Sequence, residues 1–350
     1  MRTIVGTMTG TSMDGVDAVA TTIDGLGLSM TASFVSLESC DIGESKIAFR
    51  KLASIGGTKE ETDSAAWQIG IITAQAISQL KLAHIDLIAL HGQTIFHAPP
   101  KSIQLINPTP ITDSFSCPVL TDPRQADLKL GGQGAPITPL ADWVMFRSSS
   151  KSTAIVNLGG FCNVTILPEN CTPNQITGFD VCCCNLVLNE IARARLGCEY
   201  DLDGEEAKKG SVDQEIFGLV LQKLLEQCHE DRSLGTNDDL GKFIVEIGDS
   251  LHTKDLLATV VAAIGACITA STRNVDCVLL AGGGVHNAAL LRAIKHDGTT
   301  EKLGVPTQAR EAMAMAILGA LAQDGVSITL SQITGRKETD ELVGWTQARP

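Results

Sequence analysis

Apolar and polar positions fall into strand-like patterns at the start of the chain. A short β-branched run, Thr3-Ile4-Val5, precedes a turn rich in Gly, Ser and Thr, and an alternating run from Val16 to Ile23 follows it. The pattern predicts two strands joined by that turn. The theme returns at mid-chain. Thr153-Ala-Ile-Val-Asn-Leu-Gly-Gly160 echoes Thr3-Ile-Val-Gly-Thr-Met-Thr-Gly10, and a second strand-like run, Asn163 to Leu167, comes after it. Two copies predict two related α/β halves, each opening with a hairpin that faces a common cleft; a chance likeness of short segments is the alternative. Between the copies, a helical pattern over Asp63 to Leu82 leads to Leu87-Ile-Ala-Leu90, the continuous apolar run of a buried strand. A loop is predicted from Gly131 to Pro139, and Ser148 to Ser152 reads as a surface loop rather than a linker between independent domains. Farther on, Asn185 is expected to cap a helix ending at Gly197, with Arg193 and Arg195 in its last turns. Leu256 to Ala270 is expected as a core helix and Cys277-Val-Leu-Leu280 as a buried strand running into Gly282-Gly-Gly284. Ala312 to Ala322 completes the set as an Ala/Met-rich helix. Alternation of strands and helices places the fold in the α/β class.

Length and composition bound the function. A chain of 350 residues with 44% apolar and 19% charged residues can bury a sizeable core, and two domains are expected. A net charge of −13 argues against nucleic acid or an anionic membrane surface as partner. The longest apolar stretch is interrupted by Thr259, Gly265 and Thr269 and is short for a membrane span. No basic-then-apolar leader follows Met1-Arg2, and the 11 cysteines read as reduced thiols of a cytoplasmic protein.

The first turn carries the most chemistry. Gly10 and Gly15 permit positive φ and close approach, so the backbone N–H groups and hydroxyls between them can converge on one anion. Asp14 and Asp17 would repel a phosphate unless a divalent cation lies between them and it. An ordinary polar hairpin turn is the simpler alternative. Two more Gly-rich turns, Gly159-Gly160 and Gly282 to Gly284, also follow strand ends, where α/β proteins place ligands. Three such turns point to a bound nucleotide, although neither a Walker lysine loop nor a Gly-x-Gly-x-x-Gly fingerprint is present. Ser12 lacks the second glycine of a nucleophile elbow. Asp180, in Gly178-Phe-Asp180, is placed to take a proton from an attacking oxygen, or else to cap the helix that follows. Cys182-Cys-Cys184 reads as small buried thiols, because adjacent cysteines wrap one ion poorly and no Cys-x-x-Cys pair accompanies them. His91 and His97 lack the further ligands a metal needs and read as structural or substrate-bonding.

Taken in order, these segments resemble the anhydro-N-acetylmuramic acid kinase family over nearly the whole chain. The likeness includes Gly10-Thr-Ser-Met-Asp-Gly-Val-Asp17, His91-Gly-Gln-Thr-Ile-Phe-His97, Asp122-Pro-Arg124 and Gly131-Gly-Gln-Gly-Ala-Pro136. It continues through Asn157-Leu-Gly-Gly160 with Asn163, Gly178-Phe-Asp180 and Tyr200-Asp-Leu-Asp-Gly204. Gly282-Gly-Gly-Val-His-Asn287, Glu311-Ala-Met-Ala and Ile333-Thr-Gly335 close it. The resemblance implies an actin-like, ribonuclease H-like ATPase fold of two lobes, residues 1–127 with 326–350 and residues 128–325, with the nucleotide in the cleft between them. It implies ATP and Mg2+ as cofactors, a cytoplasmic homodimer, and phosphorylation of the sugar's O6 while water opens the 1,6-anhydro ring. By carry-over Asp180 is the general base. Gly10, Thr11, Ser12, Met13, Asp14, Gly15, Val16 and Asp17 hold the phosphates, with Asp14 toward the metal. Asn157, Gly159 and Gly160 form the second phosphate side, and Gly282, Gly283, Gly284 and Asn287 the adenosine side. His91, Arg124, Gln133 and Glu311 are the sugar-side residues.

The chain departs from the family twice. The usual Thr-Gly-Pro-Gly-Asn appears as Val181-Cys-Cys-Cys-Asn185, and Lys-Ser-Thr-Gly-Arg-Glu as Arg232-Ser-Leu-Gly-Thr-Asn237. These departures leave two alternatives beside the anhydro-muramic kinase: a kinase of another anhydro sugar such as levoglucosan, or a catalytically impaired sugar- or nucleotide-binding relative. Retention of Asp14, Asp180 and Glu311 favours catalysis.

Overall fold

A computed structural model describes residues 1–10, 13–228, 233–235 and 238–348. Contacts group the chain into two compact units, Met1–Arg147 with Leu303–Pro350, and Ser148–Lys302. The first unit contains strands β1 (Arg2–Thr9), β2 (Gly15–Asp24), β3 (Thr31–Asp41), β4 (Leu87–Leu90), β5 (Gln93–Ala98), β6 (Lys101–Leu105) and β7 (Val119–Thr121). The second contains β8 (Thr153–Leu158), β9 (Phe161–Leu167), β10 (Thr177–Cys183), β11 (Cys277–Ala281) and β12 (Gly298–Thr299). A last strand, β13 (Thr346–Gln347), returns to the first unit.

Each unit is built on a sheet of the same order. In the first it runs β3-β2-β1-β4-β7, with β13 added at the edge; in the second, β10-β9-β8-β11-β12. In each sheet the first three strands form an antiparallel ladder, the fourth pairs in parallel with the first and the fifth with the fourth, while β13 pairs antiparallel with β7. The doubled, mixed α/β order is the one expected from the two echoing segments, which become β1 and β8, and it agrees with the ribonuclease H-like fold that the resemblance implies.

Helices cover both faces of the first sheet. Val5, Ile88 and Leu90 share a core with Ile69, Ile72 and Ile77 of the helix Lys59–Gln79. That helix begins four residues before the expected Asp63, because Thr58 and Glu61 form a capping box ahead of it. Residues of the opposite pleat, Gly6 and Ala89, meet the helix Arg310–Gln323. A Cβ on Gly6 would lie 2.0 Å from the Ala312 carbonyl oxygen, so only glycine lets this helix sit down on β1.

The unit bounds differ from 127/128 and 325/326. The helix Arg310–Gln323 belongs to the first unit because it packs on β1, β2 and β4, and fully buried Arg310 brings the helix Pro139–Phe146 with it through Asp142. Ser148 to Ser152, expected as a mere surface loop, opens the second unit. There, Ala154, Val156, Val164 and Phe179 pack with Leu257, Val260 and Ile264 of the helix Thr253–Ser271. This helix is long and apolar enough to cross a membrane by length and composition, but ten of its residues are buried in the unit.

Gly6→Ala is therefore expected to force the helix Arg310–Gln323 off β1 and to lower stability by about 1–3 kcal/mol, the usual cost of overpacking a tight core. Urea unfolding of the two proteins measures it, and equal midpoints would contradict the packing described.

Candidate active site

The second unit sets its polar residues in a row. Asn157 of β8 lies opposite Asn163 of β9, and Asn163 lies opposite Asp180 of β10. Directly opposed residues in an antiparallel ladder share a face. Their neighbours Val156, Val164 and Phe179 point into the core, so the row occupies the other face. Asn163 belongs to one of the sequence motifs but not to the expected site residues. An isolated asparagine in a β-branched run, matched in register to another, is the signal that could have found it.

Gly-rich turns crowd the end of that row. Gly282 has φ +82, and a Cβ there would come within 2.7 Å of Asn157 Oδ1. Gly284 lies against Leu158, whose carbonyl also accepts from Asn185 Nδ2 at 3.0 Å. The carbonyls of Gly159 and Gly160 accept from the backbone of Asn185, Cys184 and Leu186, so this turn receives the start of the helix Asn185–Leu196. Asn185 is thus not the helix cap; Cys184 stands there, and Gly197 ends the helix in left-handed conformation as expected. Gly283 has open space about its Cα. Asn287 is engaged as the cap of Ala288–Ala293, accepting from Leu290 N at 3.0 Å.

Asp180 is buried at 7% exposure and does not cap the helix. Its Oδ2 accepts from Leu234 N at 2.6 Å. A bulge follows it in the pairing with β9, which sends Val181 and Cys182 alike into the core. Cys182, Cys183 and Cys184 have no exposed surface. Burial pushes the Cys183 thiol from its ordinary 9.0 to about 12 and raises Cys162 and Cys184 as well. Cys182 is raised by its hydrogen bond with Cys267 and by burial. Among the described residues, no group of three or more His, Cys, Asp or Glu side chains is placed to hold a metal.

The first unit gathers a second set. Between β1 and β2, Met13 holds φ +55 and donates from its N–H to Gly10 O at 3.1 Å. Thr11 and Ser12 lie outside the described residues, as do Arg232, Thr236 and Asn237 of the divergent segment. The Asp14 side chain is 61% exposed and paired with Lys46. Asp17, on β2 opposite Ser39, accepts from Ser39 Oγ at 2.5 Å and Gln308 Nε2 at 3.1 Å. Burial outweighs those donors and pushes its carboxyl up.

Arg124 and His91 are bound to each other. Arg124 donates from Nη2 and Nε to His91 Nε2, at 2.9 and 3.2 Å, and from Nη1 to Gly134 O at 2.7 Å. Glu311 opens the helix Arg310–Gln323, and burial raises its carboxyl. Arg310 and Arg124 oppose that shift, while Asp142 and Asp17 reinforce it. Arg124, His91, Glu311 and Asp17 thus share one neighbourhood. Gln133 sits on the adjoining loop, its N–H bound to Thr334 O at 2.8 Å, and Asp14 stands apart on the exposed turn.

The chain that carries these two sets of residues, one per unit, matches a known family model over nearly its whole length. Residues 2–347 fit anhydro-N-acetylmuramic acid kinase. The chain belongs to the anhydro-N-acetylmuramic acid kinase family. The family member of Salinibacter ruber is 29% identical over 95% of this chain and 93% of its own length. That of Caldanaerobacter subterraneus subsp. tengcongensis is 30% identical over 96% and 94%. Both bear the name anhydro-N-acetylmuramic acid kinase. Among solved structures, component A of the (R)-2-hydroxyglutaryl-CoA dehydratase of Acidaminococcus fermentans aligns with 93% of this chain and 100% of its own, at 13% identity and a TM-score of 0.46.

The thiol run Cys182-Cys-Cys184 is expected to be inert while folded. At pH 8, a thiol reagent should label the exposed Cys198 and leave Cys182, Cys183 and Cys184 unlabelled until denaturant is added. Because Cys183 titrates higher folded than unfolded, its stabilising contribution is complete below 9 and is lost as pH rises toward 12. Peptide mass spectrometry after timed labelling reads the outcome; rapid native labelling of the three would overturn it.

Proposed function

We propose that this chain is an ATP-dependent kinase that opens the 1,6-anhydro ring of 1,6-anhydro-N-acetylmuramic acid and phosphorylates O6, giving N-acetylmuramic acid 6-phosphate and ADP. The observation that carries the reading is the row Asn157–Asn163–Asp180 ending at Gly282, within a chain that fits this family from residue 2 to 347. A buried carboxylate beside Gly-rich turns suits proton abstraction from water during phosphoryl transfer.

Asp180 acts as general base on the water that attacks the anomeric carbon. The C1–O6 bond breaks, the water oxygen stays on C1, and O6 takes the terminal phosphoryl group of ATP. Leu234 N holds the Asp180 carboxylate through Oδ2. Arg124 and Glu311 bind the sugar, with Gln133 on the loop beside them. The turn from Gly10 to Asp17 and the turns at Gly159-Gly160 and Gly282 to Gly284 bind the nucleotide, with Asn157 beside them.

The Asp14 carboxylate fits a Mg2+ ion shared with the nucleotide. It is the exposed acid of the phosphate turn, and its partner Lys46 is a surface ion pair of little worth that a divalent cation can displace. When bound, the ion would neutralise phosphate charge. A site of one or two carboxylates plus substrate phosphates is the usual one for Mg2+. The thiols that raised the prospect of an impaired relative lie inside the core, away from the polar row. Work in the cytoplasm on recycled cell-wall sugar, as a homodimer, completes the proposal.

Asp180→Asn is expected to lower kcat by roughly 10²–10⁴ with ATP affinity and melting temperature nearly unchanged. Coupled ADP release and calorimetry measure both, and a variant within a few-fold of wild type removes Asp180 from the mechanism. Asp14→Ala should raise the Mg2+ and ATP concentrations needed for half-maximal rate far more than the sugar concentration. Unchanged dependence on all three would sink the metal assignment.

A further inference from the structure

β10 is the edge strand of the second sheet, so alternate N–H and C=O groups of its backbone face away from β9 and need partners elsewhere. At its end, Cys184 N–H turns inward to Gly160 O at 2.9 Å. The N–H before it, of Cys183, therefore turns outward. Its acceptor is Oε1 of Gln227, at 2.9 Å. Gln227 lies just past the helix Gln214–Leu225, its own N–H bound to Leu224 O at 3.1 Å. The side chain is buried, at 5% exposure, and uses both ends of its amide. Nε2 donates to Asp238 O at 2.6 Å. An N–H only donates and a carbonyl only accepts, so these two partners fix which way the amide is turned.

Asp238 closes a turn with Gly235. Asp238 N donates to Gly235 O at 2.9 Å, and Gly235 N donates to Asp238 Oδ2 at 2.8 Å. Next to Gly235 is Leu234, itself buried, whose N–H reaches Asp180 Oδ2. One short stretch thus grips β10 twice, directly at Asp180 and through Gln227 at Cys183. Between the two grips lies the bulge after Asp180, where the ladder with β9 is broken and holds the strand least. A hydrogen bond to a carboxylate is strong and directional, so the place of Leu234 N sets how the Asp180 oxygens are turned. We infer that Gln227 is a positioning residue: its amide braces the stretch that carries Leu234 against β10, and so holds the Asp180 carboxylate in one orientation. The inference rests on the proposed role of Asp180 as general base.

The test compares Gln227→Met and Gln227→Glu with wild type in the full chain, using Mg-ATP and anhydro-N-acetylmuramic acid. Methionine keeps the shape and removes both bonds. kcat should fall roughly 10- to 100-fold, with little change in KM for ATP or sugar, as expected of a misaimed base. Glutamate keeps an acceptor for Cys183 N but offers the Asp238 carbonyl no donor, and should fall with methionine. In an Asp180→Asn background, Gln227→Met should lower kcat no further. Wild-type kcat in either variant, or an equal fall in both backgrounds, would overturn the inference. Residue-level hydrogen exchange gives a readout that needs no substrate. The Leu234 and Gly235 amides should be protected in wild type and lose protection in both variants, while β8 and β9 keep theirs. Unchanged protection of Leu234 overturns the inference. Where Gln227→Met also exposes β8 and β9, it has unfolded the unit, and Gln227→Glu decides. Near-wild-type turnover of Asp180→Asn would instead remove the base assignment, and the exchange result would then judge the brace by itself.

Discussion

Cross-strand register is the constraint on which the chemistry of the second unit depends. The tight turn at Gly159-Gly160 pairs Leu158 with Cys162, and that pairing sets Asn157 opposite Asn163. The next ladder sets Asn163 opposite Asp180. Strand side chains alternate with a period of two, so a slip of one residue would turn the three polar groups into the apolar core. Val156, Val164 and Phe179, buried on the other face, hold the register by the area they keep from water. The bulge after Asp180 then lets the next residues plunge into that core while the carboxylate stays on the polar face.

Charge is handled differently in the first unit. Arg310 and Asp142 form a buried pair that ties two helices together, and removal of either partner would leave an uncompensated charge. A few ångströms along the same helix start, Glu311 is raised by burial and stands among Arg310, Arg124, Asp142 and Asp17. Arg124 donates to the His91 ring. The unit therefore concentrates ionisable groups whose balance is set by desolvation and mutual charge, a pattern found where ligands bind.

Departures from a family pattern need to be placed in space before they are weighed. Three cysteines where the resemblance leads one to expect Gly-Pro-Gly suggested a changed ligand surface. Their side chains instead fill the core against the helix Thr253–Ser271, with Cys182 bonded to Cys267. Free buried thiols behave as small apolar groups, and that is how these pack.

The period of apolar residues by itself determined the α/β class, the doubled hairpin, and the strand at Leu87–Leu90 with its limits. Glycine after the last periodic residue likewise ended the helix Asn185–Leu196 at Gly197. Those features follow from local rules of pleat, turn and cap. The candidate residues were legible as motifs through their order along the chain, since a Gly-rich turn or a carboxylate after a strand taken singly also serves as a plain hairpin turn or a helix cap. What each side chain touches was decided only by tertiary structure. Gly6 as the seat of a helix, the buried Arg310–Asp142 pair, and Asn163 beside Asp180 join positions from 17 to more than 300 residues apart in the chain. The burial of His91, expected on the sugar side, and its bond to Arg124 are of the same kind. Hydrogen-bond direction and desolvation depend on neighbours in space, and no local pattern of residues encodes which neighbours those are.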